Sequence, residues 1–399
     1  MESVRKNSNL KELHLDKEAI ATLSLAKEGI LKPIDKLMNK EESEKVYKTR
    51  KYKGQFLPFP FILAPSGRRN KEVLKNAQKG DLLKIIVLGK FKGYIKVDSI
   101  FKIDIKRRIK AIFGTNDETH PGVADTMRRL GEYAISGEYE IEFDDIKKVK
   151  IDIKQAINAI EAKKVTALMV AAKPLHRAHE RLIRITLENT DLLVIFLLKP
   201  YKRDTLSYDI RYKTLKHFVD NFLPTSRVII VPFENTYIFA GYNNAVLDSL
   251  AAKNFGCTDI VLGQNHSGIG IFYDHDRINS ILDHVKNSGI NVEIVSEFVY
   301  CNQCKTLVST KTCPHGKHHH ISYHSPSILE ILKVGLLPPA VLVRKEISAI
   351  LLSELFKHRF KNLDKIYDAI MPSGGLLEEH DEKDFYIKLL ELYQTTSLT

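Results

Sequence analysis

Five short apolar runs, separated by stretches of helical character, constrain this chain more than any other feature. They are Thr166–Val170, Leu192–Leu197, Val228–Val231, Asp259–Leu262 and Asn291–Val295. Strands that are apolar along nearly their whole length must be covered on both faces, and helices between them favour parallel pairing. The texture begins near residue 163 and predicts an α/β domain. Ligands of such sheets bind beyond the carboxyl ends of the strands, so the residues that follow each run matter most.

The first run leads into Pro174-Leu175-His176-Arg177-Ala178-His179. Proline fits the first turn of a helix, where its missing N–H is not needed. Residues three apart share a helix face, so His176 and His179 can converge on one ligand, and the amides at a helix start favour phosphate oxygens. A nucleoside triphosphate is the ligand this pattern suggests. The glycines of Gly263-Gln264-Asn265-His266-Ser267-Gly268-Ile269-Gly270 allow close backbone approach after the fourth run, and they mark His266 as ligand-facing.

Composition excludes some alternatives. The 399 residues are 44% hydrophobic, enough for two or three domain cores. No apolar run approaches the roughly 20 residues needed to cross a bilayer, and no secretory apolar core follows the basic start, so the cytoplasm is the expected location. The net charge of +12 invites a nucleic-acid reading. Lysines are spread along the chain, however, and no basic-aromatic repeat offers a stacking surface. Attraction for anionic substrates is the better reading.

Before residue 163 the pattern differs. Lys17–Glu28 is helix-like, Gln55–Pro65 is held extended by closely spaced prolines, and Leu83–Leu88 and Gly93–Val97 read as strands. A small, largely β domain with helical insertions is predicted. Beyond Leu342 the chain is helical and charged, with Ser348–Phe356 and Glu379–Tyr393 as the longer candidates.

Three of the four cysteines fall within Cys301-Asn302-Gln303-Cys304 and Cys313-Pro314-His315-Gly316-Lys317-His318. Clustered thiols without an export signal favour a metal over disulfides, and thiolates with imidazole select zinc. The expected ligands are Cys301, Cys304, Cys313 and His318. His315 is the alternative fourth donor, disfavoured because it directly follows the Cys-Pro pair. Four protein ligands leave no open position, so the zinc is expected to be structural. The fourth cysteine, Cys257, precedes an apolar run and reads as core.

Taken together, these residues resemble the ATP sulfurylase (sulfate adenylyltransferase) family. The likeness covers Gly29–Ile34, Phe59–Leu63, Phe113–Val123, Pro174–His179, Lys202-Arg203-Asp204 with Arg211, Ala240-Gly241, Asn254–Asp259, Gly263–Gly270, the cysteine cluster and Gly335–Pro339. It implies a PUA-like β-rich domain over 1–162 and a Rossmann-like nucleotidyltransferase domain with a zinc-binding loop over 163–340. A helical part over 341–399 completes the expected architecture. It further implies ATP with Mg2+, attack of sulfate on the α-phosphorus to give adenylyl sulfate and pyrophosphate, and a homodimer. Gly263, Gln264, Asn265, His266, Gly268, Gly270, Lys202 and Arg211 become the expected nucleotide-binding residues. No Gly-x-x-x-x-Gly-Lys-Ser/Thr motif occurs, so no kinase extension is expected.

The chain departs from that family around the anion. Val170, Ala171, Ala172 and Lys173 stand where the family has Gln-Thr-Arg-Asn, whose Gln and Arg hold sulfate. Gln264 and Asn265 replace an Arg and an Asp, Ile238 and Asn243 fall opposite arginines, and His324-Ser325-Pro326 with Leu329 replaces Ser-Gly-Thr with Arg. Charge-assisted bonds are worth about 1.5–3 kcal/mol each, so losing several weakens sulfate binding. Lys173 keeps part of the charge and joins His176 and His179 as a candidate catalytic residue. Sulfate adenylyl transfer is the leading expectation. Transfer to another acceptor, or nucleotide binding without catalysis, is the alternative.

Overall fold

The computed structural model describes residues 2–7, 9–199, 206–234, 243–263, 289–371 and 380–393. The chain forms two compact units, Met1–Met169 with Pro232–Ile294, and Val170–Val231 with Val295–Thr399.

A five-stranded sheet dominates the first unit, in the order Glu12–Leu15, Leu82–Val87, Lys90–Lys102, Leu130–Ile141, Leu63–Pro65. The outer pair Glu12–Leu15 and Leu82–Val87 is parallel, and the other pairs are antiparallel. The expected strand over 83–88 stops at Val87. Leu88 and Gly89 take φ of 50° and 74° and form the two-residue turn of a hairpin. The expected strand over 93–97 extends to Lys90–Lys102, because Leu130–Ile141 pairs along it from Gly93 to Lys102. Gly93 and Gly137 permit that approach: a Cβ would lie 1.9 Å from the Glu140 carbonyl oxygen and 2.0 Å from that of Lys96.

The Lys17–Lys27 helix starts where Asp16 accepts a hydrogen bond from the Ala19 amide at 2.8 Å. Residues 55–65 contain only the short strands Gln55–Phe56 and Leu63–Pro65, as the prolines require. Leu13, Ile20, Phe59, Phe61, Ile85 and Phe113 are buried in this unit.

Within the same unit, Val165–Val170 pairs in parallel with Asp259–Gly263, Thr166 opposite Asp259 and Leu168 opposite Val261, and Asn291–Val295 follows. The strands therefore end at the same edge. The helix Asn244–Asn254 is tied to the N-terminal part by side-chain amides: Asn243 donates to the Ile112 carbonyl and Asn254 to that of Ile30, each at 2.8 Å. These bonds explain why 232–294 belongs to a unit that starts at residue 1.

The second unit holds the strand Leu192–Lys199 and, adjacent to it, residues 228–231 of the strand Val228–Glu234. Its helices include Arg177–Glu188, Tyr208–Phe222, Ser325–Lys333, Lys345–Leu355 and Glu382–Tyr393. All five expected apolar runs are therefore strands, and the two expected C-terminal helices are present. A separate three-stranded antiparallel sheet, in the order Thr306–Ser309, Phe298–Cys301, His320–Ser322, carries the cysteine segment. Among the described residues, no helix is long and apolar enough to cross a membrane.

Candidate functional site

Val165–Val170 is buried along its length, and the chain then turns through Ala171–Leu175 into the helix Arg177–Glu188. Ala172 makes the turn in the left-handed region, at φ 48°. For an alanine that conformation costs about 1–2 kcal/mol, so surrounding structure must enforce it. Arg211 does part of this work. It is fully buried and donates to the carbonyls of Leu206 at 3.2 Å, Leu198 at 2.6 Å, and Ala171. The guanidinium expected on phosphate thus ties together three backbone carbonyls of the second unit.

His176 caps the helix in extended conformation and is 6% exposed. Its backbone amide donates to His179 Nδ1 at 3.3 Å. In a neutral ring that leaves the proton of His179 on Nε2, where it can be donated. His176 Nε2 lies 3.1 Å from the Ser325 hydroxyl, while its buried Nδ1 has no hydrogen-bond partner. The two imidazoles stack with centroids 3.7 Å apart, and Tyr323 stacks on His176 at 5.4 Å. Nothing fits between rings in contact, so a ligand cannot be held between the two imidazoles.

Burial lowers the His179 pKa to about 4, and burial together with neighbouring His179 holds His176 well below its ordinary value. Both rings are neutral near pH 7. They can therefore act as oriented N–H donors rather than as cations.

The helix beneath them is anchored by buried Glu180. Arg177 reaches it at 3.1 Å and Arg344 at 2.8 Å, and Arg344 also stacks over Phe222 at 3.9 Å. Ser325, Tyr323 and this network escaped the reading of the sequence as contacts of the pair. The only signal was the departure at His324-Ser325-Pro326, which did not specify what Ser325 touches.

Other expected residues divide three ways. Lys173 is half-buried in the turn before His176. Gly263 ends its strand, and among the described residues a Cβ added there would meet nothing within 4 Å. Lys202, Gln264, Asn265, His266, Gly268 and Gly270 lie outside the described residues.

The cysteine segment brings Cys301, Cys304, Cys313 and His315 together, with all four donor atoms within 4.8 Å of one another. His315 Nδ1 stands 3.5, 3.3 and 3.7 Å from the sulfurs of Cys301, Cys304 and Cys313, and Cys304 and Cys313 are 3.9 Å apart. A tetrahedral zinc with ordinary bond lengths places sulfurs about 3.8 Å apart and sulfur and nitrogen about 3.6 Å apart. The donor set fits such an ion in both chemistry and spacing. His318, expected as the fourth ligand, is not part of the group. The Lys317–His319 turn carries its ring onto His319, with centroids 4.1 Å apart. Outside a helix, Cys313 and His315 can share one side across Pro314, so their closeness is no obstacle.

The chain is similar to known proteins over most of its length. The ATP-sulfurylase family matches residues 144–354 and a PUA-like domain family matches residues 1–142. A protein of Chloroflexus aurantiacus named sulfate adenylyltransferase is 26% identical over 357 residues, covering 87% of this chain and 92% of the relative. Another so named, from Psychrobacter sp. (strain PRwf-1), is 27% identical over 360 residues, covering 86% and 84%. A solved structure described as a hexameric APS kinase from Thiobacillus denitrificans aligns with a TM-score of 0.65 at 16% identity, over 88% of this chain and 64% of that one. This last likeness concerns the fold alone, and the chain spans less than two thirds of that protein. With more than half of its length matched by the nucleotidyltransferase family model, this chain belongs to the ATP-sulfurylase family.

Proposed function

We propose that the chain transfers the adenylyl group of ATP to sulfate, with the edges of His176 and His179 meeting the triphosphate. The stacked, neutral imidazole pair at the start of the Arg177–Glu188 helix carries this reading. A sulfate oxygen forms a bond to the α-phosphorus while the bond from that phosphorus to the bridging oxygen breaks, releasing pyrophosphate. Sulfate is already a dianion, so no general base is required. Negative charge grows on the departing pyrophosphate and on the α-phosphoryl oxygens. N–H donors held in advance stabilise that charge more than they stabilise the resting substrate. Mg2+ bound with ATP would offset charge on the β- and γ-phosphates.

A second acceptor has support from a specific observation. Ala171 and Ala172 bear no side-chain donor, and Arg211 is engaged by carbonyls, which leaves Lys173 as the cation of the turn. An acceptor that needs less charge compensation than sulfate would suit that lining.

The discriminating experiment measures pyrophosphate release from ATP and Mg2+ with sulfate, selenate, phosphate or no acceptor. Sulfate-dependent release is expected. Release with another oxyanion alone would transfer the proposal to that acceptor, and ATP binding without release under any condition would refute catalysis. We also propose that Cys301, Cys304, Cys313 and His315 hold a structural zinc that fixes the three-stranded sheet.

A further inference from the structure

The first unit contains a cavity of about 240 Å3, lined by Leu15, Ala19, Ile62, Leu63 and Ile112, with Arg108 and Arg129 among its polar residues. That is somewhat smaller than the roughly 300–1,000 Å3 of typical pockets for drug-sized molecules. A small organic molecule would fill it.

The two arginines differ in their charge balance. Arg129 is paired with Asp16 at 2.7 Å and with Glu18. Arg108 is 1% exposed, and its partners are the Pro60 carbonyl and the Tyr47 side chain, with the Phe59 ring 5.1 Å away. Its buried Nε has no hydrogen-bond partner. Among the described residues no carboxylate balances its charge. A buried cation lacking an opposite charge is costly, and an unmet donor adds to that cost.

One kind of ligand answers both halves of the lining. We infer that this cavity binds a small organic anion, a carboxylate with a short apolar body, with Arg108 as its counter-charge. The carboxylate would face the guanidinium, and the body would cover the aliphatic wall. Asp16 lines the same cavity, but it is already held by Arg129, so Arg108 remains the cation available to a ligand. This site is separate from the histidine pair and stands whether or not adenylyl transfer occurs.

Calorimetry and melting of the full chain at constant ionic strength would test it with butyrate and benzoate, each beside its neutral amide. At least one carboxylate is expected to bind about ten-fold or more tightly than its amide and to raise the melting temperature. Ala19→Leu, which fills the cavity while leaving Arg108 in place, should abolish binding. Arg108→Met should remove the preference for the acid over the amide. No carboxylate binding, equal binding of acid and amide, or unaltered binding in Ala19→Leu would overturn the site. Because each amide has nearly the shape of its acid but no charge, the test stands even if Arg108→Met fails to fold.

Discussion

Two histidine-bearing sites in the second unit are built on opposite principles. His176 and His179 are ordered by packing: a turn bonded to Arg211, a helix start and a ring stack hold them without any ligand. Burial also sets their charge, because it keeps both imidazoles neutral. The Cys301–His315 group has the spacing of an ion's coordination shell, on a small sheet whose strands are three or four residues long. Its precision would come from the metal. The first arrangement spends folding energy to prepare a site, whereas the second would draw folding energy from its ligand.

The largest expected effect tests the first half of that contrast. Replacing His179 by alanine should lower pyrophosphate release by about 100- to 1,000-fold, the range for losing one prepared oxyanion donor. Melting near pH 7 should change little, since Glu180 still anchors the helix. A variant with full activity would make the pair a packing feature and leave the family's chemistry to other residues.

For the metal group, Cys304→Ser and His315→Ala should each lose zinc and lower the melting temperature by roughly 5 °C or more. His318→Ala should retain both, because its ring lies on His319. Metal analysis beside calorimetric melting checks the pair of results. Zinc loss in His318→Ala with zinc retained in His315→Ala would restore the ligand set expected from sequence.

The pH dependence of stability isolates the charge argument. A histidine whose folded pKa lies below its unfolded value near 6.5 binds fewer protons when folded. Its contribution is complete above about pH 6.5 and is lost as pH falls toward about 4, the value for His179. Glu18 acts in the opposite sense. Burial raises it to about 7, despite the lowering effect of Arg129, so its contribution is present at low pH and is lost as pH rises through about 7. The two overlap and partly cancel in the wild-type curve. The difference between wild type and His179→Ala should therefore grow between pH 6.5 and 4, with the wild type losing relatively more stability on acidification. Denaturant titrations across that window measure it, and a constant difference would mean that His179 titrates normally.

How much of this was legible in the sequence follows from which interactions are local. Leu192–Lys199 reads as a strand because it is apolar and buried through nearly its whole length. Lys90–Lys102 was only half visible, since its outer half is defined by pairing with Leu130–Ile141 and its exposed positions interrupt the apolar pattern. The three-residue spacing marked the histidine pair locally, but Pro174, expected in the first helical turn, lies before the N-cap His176 and outside the helix Arg177–Glu188. Arg211 shows the complementary limit of the sequence. A guanidinium satisfies phosphate and carbonyl oxygens alike, and only the fold shows that Ala171, Leu198 and Leu206 reach it first. His318 was preferred because His315 directly follows the Cys313-Pro314 pair, a crowding that proves no obstacle once the segment lies outside a helix.

The smallest effect asks how far packing alone can position a ring. Ser325 is 149 residues from His176 in sequence, yet its hydroxyl is the one hydrogen-bond partner of the His176 ring among the described residues. Alanine there removes a single bond worth about 0.5–1.5 kcal/mol, which corresponds to a few-fold to roughly ten-fold in rate if the ring must be aligned in the transition state. The stacks with His179 and Tyr323 would persist, so the ring would keep its plane and lose its rotational restraint. The expected signature is a few-fold fall in kcat with KM and melting temperature nearly unchanged, partly restored by Ser325→Thr. An unchanged kcat would mean that stacking by itself sets the imidazole, and the contrast with the metal group would then be complete.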